Sequence, residues 1–116
     1  MTANQIEVEL KHGKAYLRPF VTRKASREWK IALWKDAEDY LDEKSGEMKP
    51  RFSEASASDA QDIFVKNMVT KLDYSGKEYD EVTQDVIDLM ESDDFMTLKD
   101  AAFKMLFKNA EAKKKS

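Results

Sequence analysis

The pattern of apolar and polar residues changes its period near residue 20. Ile6, Val8 and Leu10 alternate with polar residues, which is the period of a half-buried β-strand. From Thr22 onward, apolar residues recur mainly every three or four positions, as they do along the buried stripe of an amphipathic helix. The pattern therefore predicts a mainly α-helical, α+β chain in which an N-terminal antiparallel β-hairpin leads into about four amphipathic helices in one small domain.

The predicted hairpin spans residues 5–20. A glycine in a two-residue turn can adopt positive φ, so we place His12 and Gly13 at the tip of the hairpin. Apolar residues then meet on one face and opposite charges meet on the other, an agreement that favours this register. The predicted pairs are Leu10–Ala15, Val8–Leu17 and Glu7–Arg18.

The helices are predicted over residues 23–42, 58–72, 78–91 and 93–109. Thr22 is a suitable N-cap for the first helix, and residues 58–61 have the spacing of a capping box for the second. Small and polar residues over 43–57 predict a loop. We expect one domain over residues 1–110 and a flexible basic tail over 111–116.

Length and composition limit the class of protein. The chain has 116 residues and no cysteine, which indicates one domain without disulfides or thiolate metal sites. Residues 1–5 lack the basic and apolar regions of a signal peptide, and no apolar run approaches the ~20 residues that span a bilayer. We therefore expect a cytoplasmic protein that does not bind membranes.

The net charge of −3 is unevenly distributed along the chain. Residues 1–35 carry a net +5, residues 36–100 a net −12 and residues 101–116 a net +4. Two interpretations stay open. The basic first helix can lie near acidic later helices and neutralise them, or the charges can form opposed faces that steer a charged partner.

No motif indicates catalysis. His12 is the sole histidine and lies at the predicted hairpin tip, and the three glycines are too dispersed to form a phosphate-binding loop. Carboxylates are plentiful, but the sequence specifies no cleft that would bring two together for acid–base chemistry or metal binding. We expect no enzyme activity, no catalytic residue, no cofactor and no metal site.

Two groups of residues suggest binding instead. Basic residues within 18–30 (Arg18, Arg23, Lys24, Arg27 and Lys30) lie near Tyr16 and Trp29, and such a mixture can bind nucleic acid. Four of the six methionines and three phenylalanines give the later helices more apolar surface than one stripe each requires: Met68, Met90, Met96, Met105, Phe95, Phe103 and Phe107. Methionine fills cores, but it also suits adaptable helix-binding grooves.

The layout resembles the small tail assembly chaperones of long-tailed phages that infect Gram-positive bacteria. The resembling parts are the strand end at 16–21 (YLRPFV) running into a charged helix, the polar gap that follows, the helical stretches 63–72 and 79–90, and the helix start at 92–96 (SDDFM). These motifs are patterns of apolar and acidic positions that span most of the chain.

The resemblance implies a non-catalytic chaperone that binds the tape measure protein while the phage tail is assembled. The tail tube protein is a second candidate partner, and association of the chain with itself stays open. We expect the contacts with the partner to be made by Phe95, Met96, Phe103 and Phe107 of the last helix. The alternative function is that of a small regulatory protein that binds nucleic acid through residues 18–30.

Overall fold

The computed structural model describes residues 5–35 and 37–115, and for 38–40, 50 and 108–115 it describes the backbone. Three parts of the predictions lie outside the described residues: residues 1–4 of the domain, Asp36 of the first helix and Ser116 of the tail. The chain forms a small α+β domain with 50% helix and 23% strand. In chain order the elements are β1 (Ile6–Leu10), β2 (Gly13–Leu17), α1 (Arg23–Trp34), β3 (Glu38–Leu41), β4 (Met48–Arg51), α2 (Glu54–Met68), β5 (Val69–Tyr74), β6 (Lys77–Tyr79), α3 (Gln84–Leu89) and α4 (Ser92–Lys115).

The main sheet has four antiparallel strands in the order β1-β2-β5-β6. The predicted N-terminal hairpin is confirmed as β1 and β2, and β5 pairs with β2 on its other side. Strands β3 and β4 form a separate two-stranded sheet. Helix α1 packs mainly on α2, whereas α4 contacts both α2 and β1.

The predicted register of the first hairpin is wrong by two residues. Val8 pairs with Ala15 and Ile6 pairs with Leu17, so the turn consists of Lys11 and His12. A shift of two residues keeps each side chain on its predicted face. Gly13 belongs to β2 and does not have positive φ. A Cβ atom at Gly13 would overlap the backbone carbonyl of Asp73, so this glycine permits the close approach of β5.

The predicted helices over 58–72 and 78–91 are wrong where β5 and β6 form a hairpin. Ser75 and Gly76 both adopt positive φ, at 52° and 80°, which suits the tight turn between two antiparallel strands. Leu72 and Tyr74 on β5 are buried. Only Gln84–Leu89 of the predicted third helix is helical.

The predicted helix over 23–42 and loop over 43–57 are also wrong in part. Helix α1 ends at Trp34, and the β3–β4 hairpin follows. In the turn between β3 and β4, the side chain of Asp42 accepts hydrogen bonds from the backbone N–H of Lys44 and from the hydroxyl of Ser45, both at 3.1 Å. Asp42 also pairs with Lys49 at 2.7 Å. These local polar contacts favour a turn over continuation of the helix.

Helix starts follow their capping residues. The predicted cap at Thr22 is confirmed, because its hydroxyl accepts a hydrogen bond from the backbone N–H of Ala25 at 3.1 Å. Helix α2 begins earlier than predicted, because Ser53 accepts from the N–H of Ser56 at 3.0 Å and serves as the cap in place of Ser58. Helix α4 starts at Ser92 and extends to Lys115, through most of the segment predicted as a tail.

The core lies between the main sheet and the helices. Its fully buried large side chains come from β2, α2, β5 and α4: Leu17, Phe64, Val65, Met68, Leu72 and Leu98. Helix α1 contributes Ala25 and the partly buried Trp29. The ring of Trp29 packs edge-on against Phe103, with centroids 5.8 Å apart, so α1 and α4 are in contact beside α2.

Candidate protein-binding surfaces

An exposed apolar patch lies at the end of α1 and the start of α2. It consists of Ile31, Trp34 and Phe52, and we call it the Trp34 patch. The ring centroids of Trp34 and Phe52 are 4.8 Å apart with an interplanar angle of 89°, an edge-to-face arrangement. Trp34 is nevertheless 52% exposed and Ile31 62%. Large apolar side chains grouped in this way are typical of interaction sites.

An open groove of about 440 Å³ adjoins the Trp34 patch. Ile31 lines both, and Ala32 of α1 and Ile63 of α2 provide further apolar surface in the groove. Charged side chains of both signs, including Lys35 and Asp59, also line it. An apolar strip with charged borders suits the apolar face of an amphipathic helix.

The four predicted contact residues of α4 fall into two groups. Met96 is 47% exposed and Phe107 is 64% exposed. They are eleven residues apart, which is about three helical turns, so they lie on one face of α4, roughly 16 Å apart. Phe95 and Phe103 instead pack against the core, and the ring centroid of Phe103 lies 4.5 Å from that of Phe64. The structure therefore brings only Met96 and Phe107 to a common outer face.

Among the side chains that the structure describes, no acidic residue pairs with the basic residues of α1. Arg23, Lys24, Arg27 and Lys30 are exposed, and none of them has an ion pair within the described residues. Of the two interpretations of the uneven charge, internal pairing of α1 is therefore not observed in this part of the chain. The cations remain available to a partner.

Neither of the two aromatic residues that the sequence places near this basic segment, Tyr16 and Trp29, is fully exposed. Trp29 contacts Phe64 and Phe103 in the interior. Tyr16 is half-buried on β2, where its backbone carbonyl accepts a hydrogen bond from Thr70 at 3.1 Å. The exposed aromatic side chains closest along the chain to the α1 cations are Phe20 and Trp34.

A polar cluster joins the hairpin tip to the start of α4. The carboxylate of Asp94 is 2% exposed. It accepts hydrogen bonds from the hydroxyl of Tyr74 at 2.7 Å, from the backbone N–H of Lys11 at 2.7 Å and from that of His12 at 3.3 Å. Glu91 contacts the imidazole of His12 and the ammonium of Lys11, the latter at 3.1 Å.

The pKa values in this cluster follow from its hydrogen bonds. Burial acts to raise the pKa of Asp94, but the hydrogen bonds from Tyr74, Lys11 and His12 outweigh it and hold that pKa below its usual value. Contacts with His12 and Lys11 lower the pKa of Glu91. Burial, followed by the hydrogen bond to Asp94, raises the pKa of the Tyr74 hydroxyl.

The same cluster offers possible ligand atoms from His12, Glu91 and Asp94, which all lie within 4.8 Å of one another. Both oxygens of Asp94 are already engaged by N–H and O–H donors. The ammonium of Lys11 sits against Glu91, and a positive charge there opposes cation binding. The arrangement therefore acts as a connection between elements. His12 was located correctly at a turn, but nothing in the sequence signalled the long-range contacts of Asp94.

None of the described helices combines the length and the apolar character needed to cross a bilayer. A scan against protein-family models, a search of curated proteins and a search of solved structures found no match to this chain.

Proposed function

We propose that the protein is a non-catalytic chaperone that holds apolar helical segments of another polypeptide, and that this polypeptide is a phage tape measure protein. The observation that carries the proposal is the exposed Trp34–Phe52 pair beside the groove between α1 and α2. Met96 and Phe107 on the outer face of α4 provide a second apolar surface. The identity of the partner rests on the resemblance to tail assembly chaperones.

The chemistry of these surfaces suits reversible binding of a helix. An amphipathic helix can place its apolar residues in the groove along Ile31 and Ile63 while its polar face remains in water. Trp34 is the natural anchor, since a buried tryptophan at the centre of an interface is worth about 2 kcal/mol or more. Met96 is flexible and can adapt to different apolar partners.

The gene's surroundings provide the first test. We expect a tail tube gene before this gene and a very long reading frame of helical character after it. Co-expression with the product of that long frame then tests binding directly, by its soluble yield and by its co-purification with this protein. Neighbouring genes unrelated to phage tails, or a long product that is equally soluble without this protein, would contradict the proposal.

Variants assign the binding to particular surfaces. The pair Trp34→Ser with Phe52→Ser removes the Trp34 patch, and the pair Met96→Ser with Phe107→Ser removes the outer apolar surface of α4. Leu89→Ser is the matched control, because Leu89 is 75% exposed on α3, outside both surfaces. We expect the first pair to reduce co-purification most and the control to leave it unchanged.

A second candidate function is binding of nucleic acid, and it is favoured by the exposed cations of α1, which have no ion pair among the described side chains. Trp29 counts against it, because its partly buried ring packs against Phe64 and Phe103 instead of facing outward to stack on a base. A salt titration separates the two functions. Binding to phosphates weakens steeply as the salt concentration rises, whereas apolar docking does not.

A further inference from the structure

One face of α1 carries cations followed by an aromatic side chain. Arg23 and Lys30 are seven residues apart, as are Arg27 and Trp34. Seven residues are close to two full helical turns, with a rise of about 10.5 Å, so each pair lies along one face. Arg23, Arg27, Lys30 and Trp34 thus share an exposed face of α1. We call it the cationic face.

The outer face of α4 has the opposite charge and the same order of residue types. Asp93, Asp100 and Phe107 follow one another at seven-residue intervals and are exposed, so they lie along one face of the helix. In the part of the chain whose side chains are described, Asp100 approaches a cation only at the adjacent Lys99, at 3.7 Å, and its own side chain is 72% exposed. Lys104, four residues after Asp100 and three before Phe107, lies on the same face and places one cation beside its two carboxylates. We call it the acidic face.

One charged residue and one aromatic residue of each face match in spacing. On the cationic face Arg27 precedes Trp34 by seven residues, and on the acidic face Asp100 precedes Phe107 by seven residues. When two such helices lie parallel, Arg27 can meet Asp100 while Trp34 meets Phe107. In an antiparallel arrangement, alignment of the charged pair separates the two aromatic residues. The spacing therefore favours the parallel arrangement.

We propose that the protein associates with itself, with the cationic face of α1 in one copy docked on the acidic face of α4 in a second copy. Arg27 pairs with Asp100 of the second copy, and Trp34 packs against its Phe107. This one charged contact sets the partner and the register, and the aromatic contact supplies burial of apolar surface. Within the described part of the molecule, the α1 cations have no competing internal ion pair to break.

Self-association would cover Trp34 and the outer apolar surface of α4 at the same time. The chain would then keep these side chains out of water until a partner competes for them. The proposal of self-association does not depend on the function proposed above, because it needs no second protein. It is tested with the purified chain alone.

A charge-swap experiment tests the pairing of Arg27 with Asp100. Sedimentation velocity is measured for the wild type, Arg27→Asp, Asp100→Arg and the double variant, at about 50 mM and about 500 mM salt, where screening differs strongly. We expect the wild type to associate at low salt and less at high salt. Each single reversal should weaken association about tenfold or more, since it places like charges together, and the double variant should restore it. An equimolar mixture of the two single variants should also associate.

Two controls keep the test specific. Lys24→Asp and Asp85→Arg reverse exposed charges outside the two faces and should leave association unchanged, and circular dichroism verifies that every variant is folded. A wild type that is monomeric at both salt concentrations overturns the proposal. So does a folded double variant that remains as weak as the single variants. Monomeric protein that binds a labelled single-stranded oligonucleotide through Arg27 would assign the cationic face to nucleic acid and would equally overturn it.

Discussion

The hydroxyl of Tyr74 donates a hydrogen bond to a carboxylate oxygen of Asp94 at 2.7 Å, and this buried contact joins the end of β5 to the first turn of α4. The backbone N–H groups of Lys11 and His12 donate to the same carboxylate from the tip of the first hairpin. Tyr74 also accepts a hydrogen bond from the backbone N–H of Glu91 at 3.0 Å. One side chain, Asp94, therefore connects three parts of the fold.

Replacement of Asp94 with alanine is expected to destabilise the protein. It leaves the partly buried N–H groups of Lys11 and His12 and the buried Tyr74 hydroxyl without their acceptor, and an unsatisfied buried donor is costly. We expect the free energy of unfolding to fall by about 3 kcal/mol, as measured by urea denaturation. Tyr74→Phe removes one hydrogen bond and should cost about 1 kcal/mol.

Asp93→Ala is the control for Asp94. Asp93 lies next to Asp94 in the first turn of α4 and is exposed. Like Asp94, it places a negative charge at the helix N-terminus, but it makes none of the buried hydrogen bonds of Asp94. Its loss should cost roughly 0.3–1 kcal/mol. Equal losses for Asp93→Ala and Asp94→Ala would show that the buried contacts contribute little.

Stability should decline in acid because of Asp94 and Glu91. The pKa values of both carboxyl groups are lower in the folded protein than their usual values. Their contribution to stability is therefore complete above the pKa of the unfolded chain, near 4, and is lost as the pH falls through the lower pKa of the folded protein. The melting temperature should drop below about pH 4.

Asp94→Asn provides the comparison for the acid effect. The amide does not titrate, so the melting temperature of this variant should depend less on pH over the acid range than that of the wild type. The two pH profiles should converge at the lowest pH, where the wild-type carboxyl is also protonated. Profiles that run parallel from neutral to acid pH would exclude Asp94 as a source of the effect.

The strands that sequence analysis identified are those whose signals are local. The first hairpin shows strict alternation over six residues and was recognised, and the cap at Thr22 was correct. Strand β5 was missed because Val69 and Leu72 also fit the three-residue spacing of the helix before them. Burial of β5 depends on its pairing with β2, more than fifty residues earlier in the chain, which no local pattern reveals.

The candidate surface was predictable only in part, for the same reason. Periodicity placed Phe103 and Phe107 on α4, but it could not tell which of them meets Trp29 and Phe64 in the folded chain. The Trp34 patch was missed because it forms only when α1 ends at Trp34 and the β3–β4 hairpin returns Phe52 to it. Long-range contacts decide which apolar residues remain exposed.

Replacement of Gly13 with alanine should disrupt the main sheet. The added Cβ overlaps the carbonyl oxygen of Asp73, which is backbone and cannot move away without separating β2 from β5. We expect a loss of roughly 3 kcal/mol or more in the free energy of unfolding, measured by thermal or urea denaturation.

Gly46→Ala is the comparison, because Gly46 has φ of +71° but no atom within 4 Å of its added Cβ. Its cost should be about 1–2 kcal/mol, from backbone strain alone. A Gly13→Ala protein as stable as Gly46→Ala would contradict this account.

Phe103 and Phe107 should respond differently to the same change, although they are one helical turn apart. Phe103 packs against Trp29 and Phe64, so Phe103→Ala leaves a gap in the aromatic cluster and should cost about 2–3 kcal/mol of unfolding free energy. Phe107 is exposed, so Phe107→Ala should change that free energy by less than about 0.5 kcal/mol. Urea denaturation measures both, and the fluorescence of Trp29, recorded in a Trp34→Phe background, should shift for Phe103→Ala alone. If Phe107→Ala proves as destabilising as Phe103→Ala, Phe107 contributes to folding, and its role as a free contact residue on α4 must be abandoned.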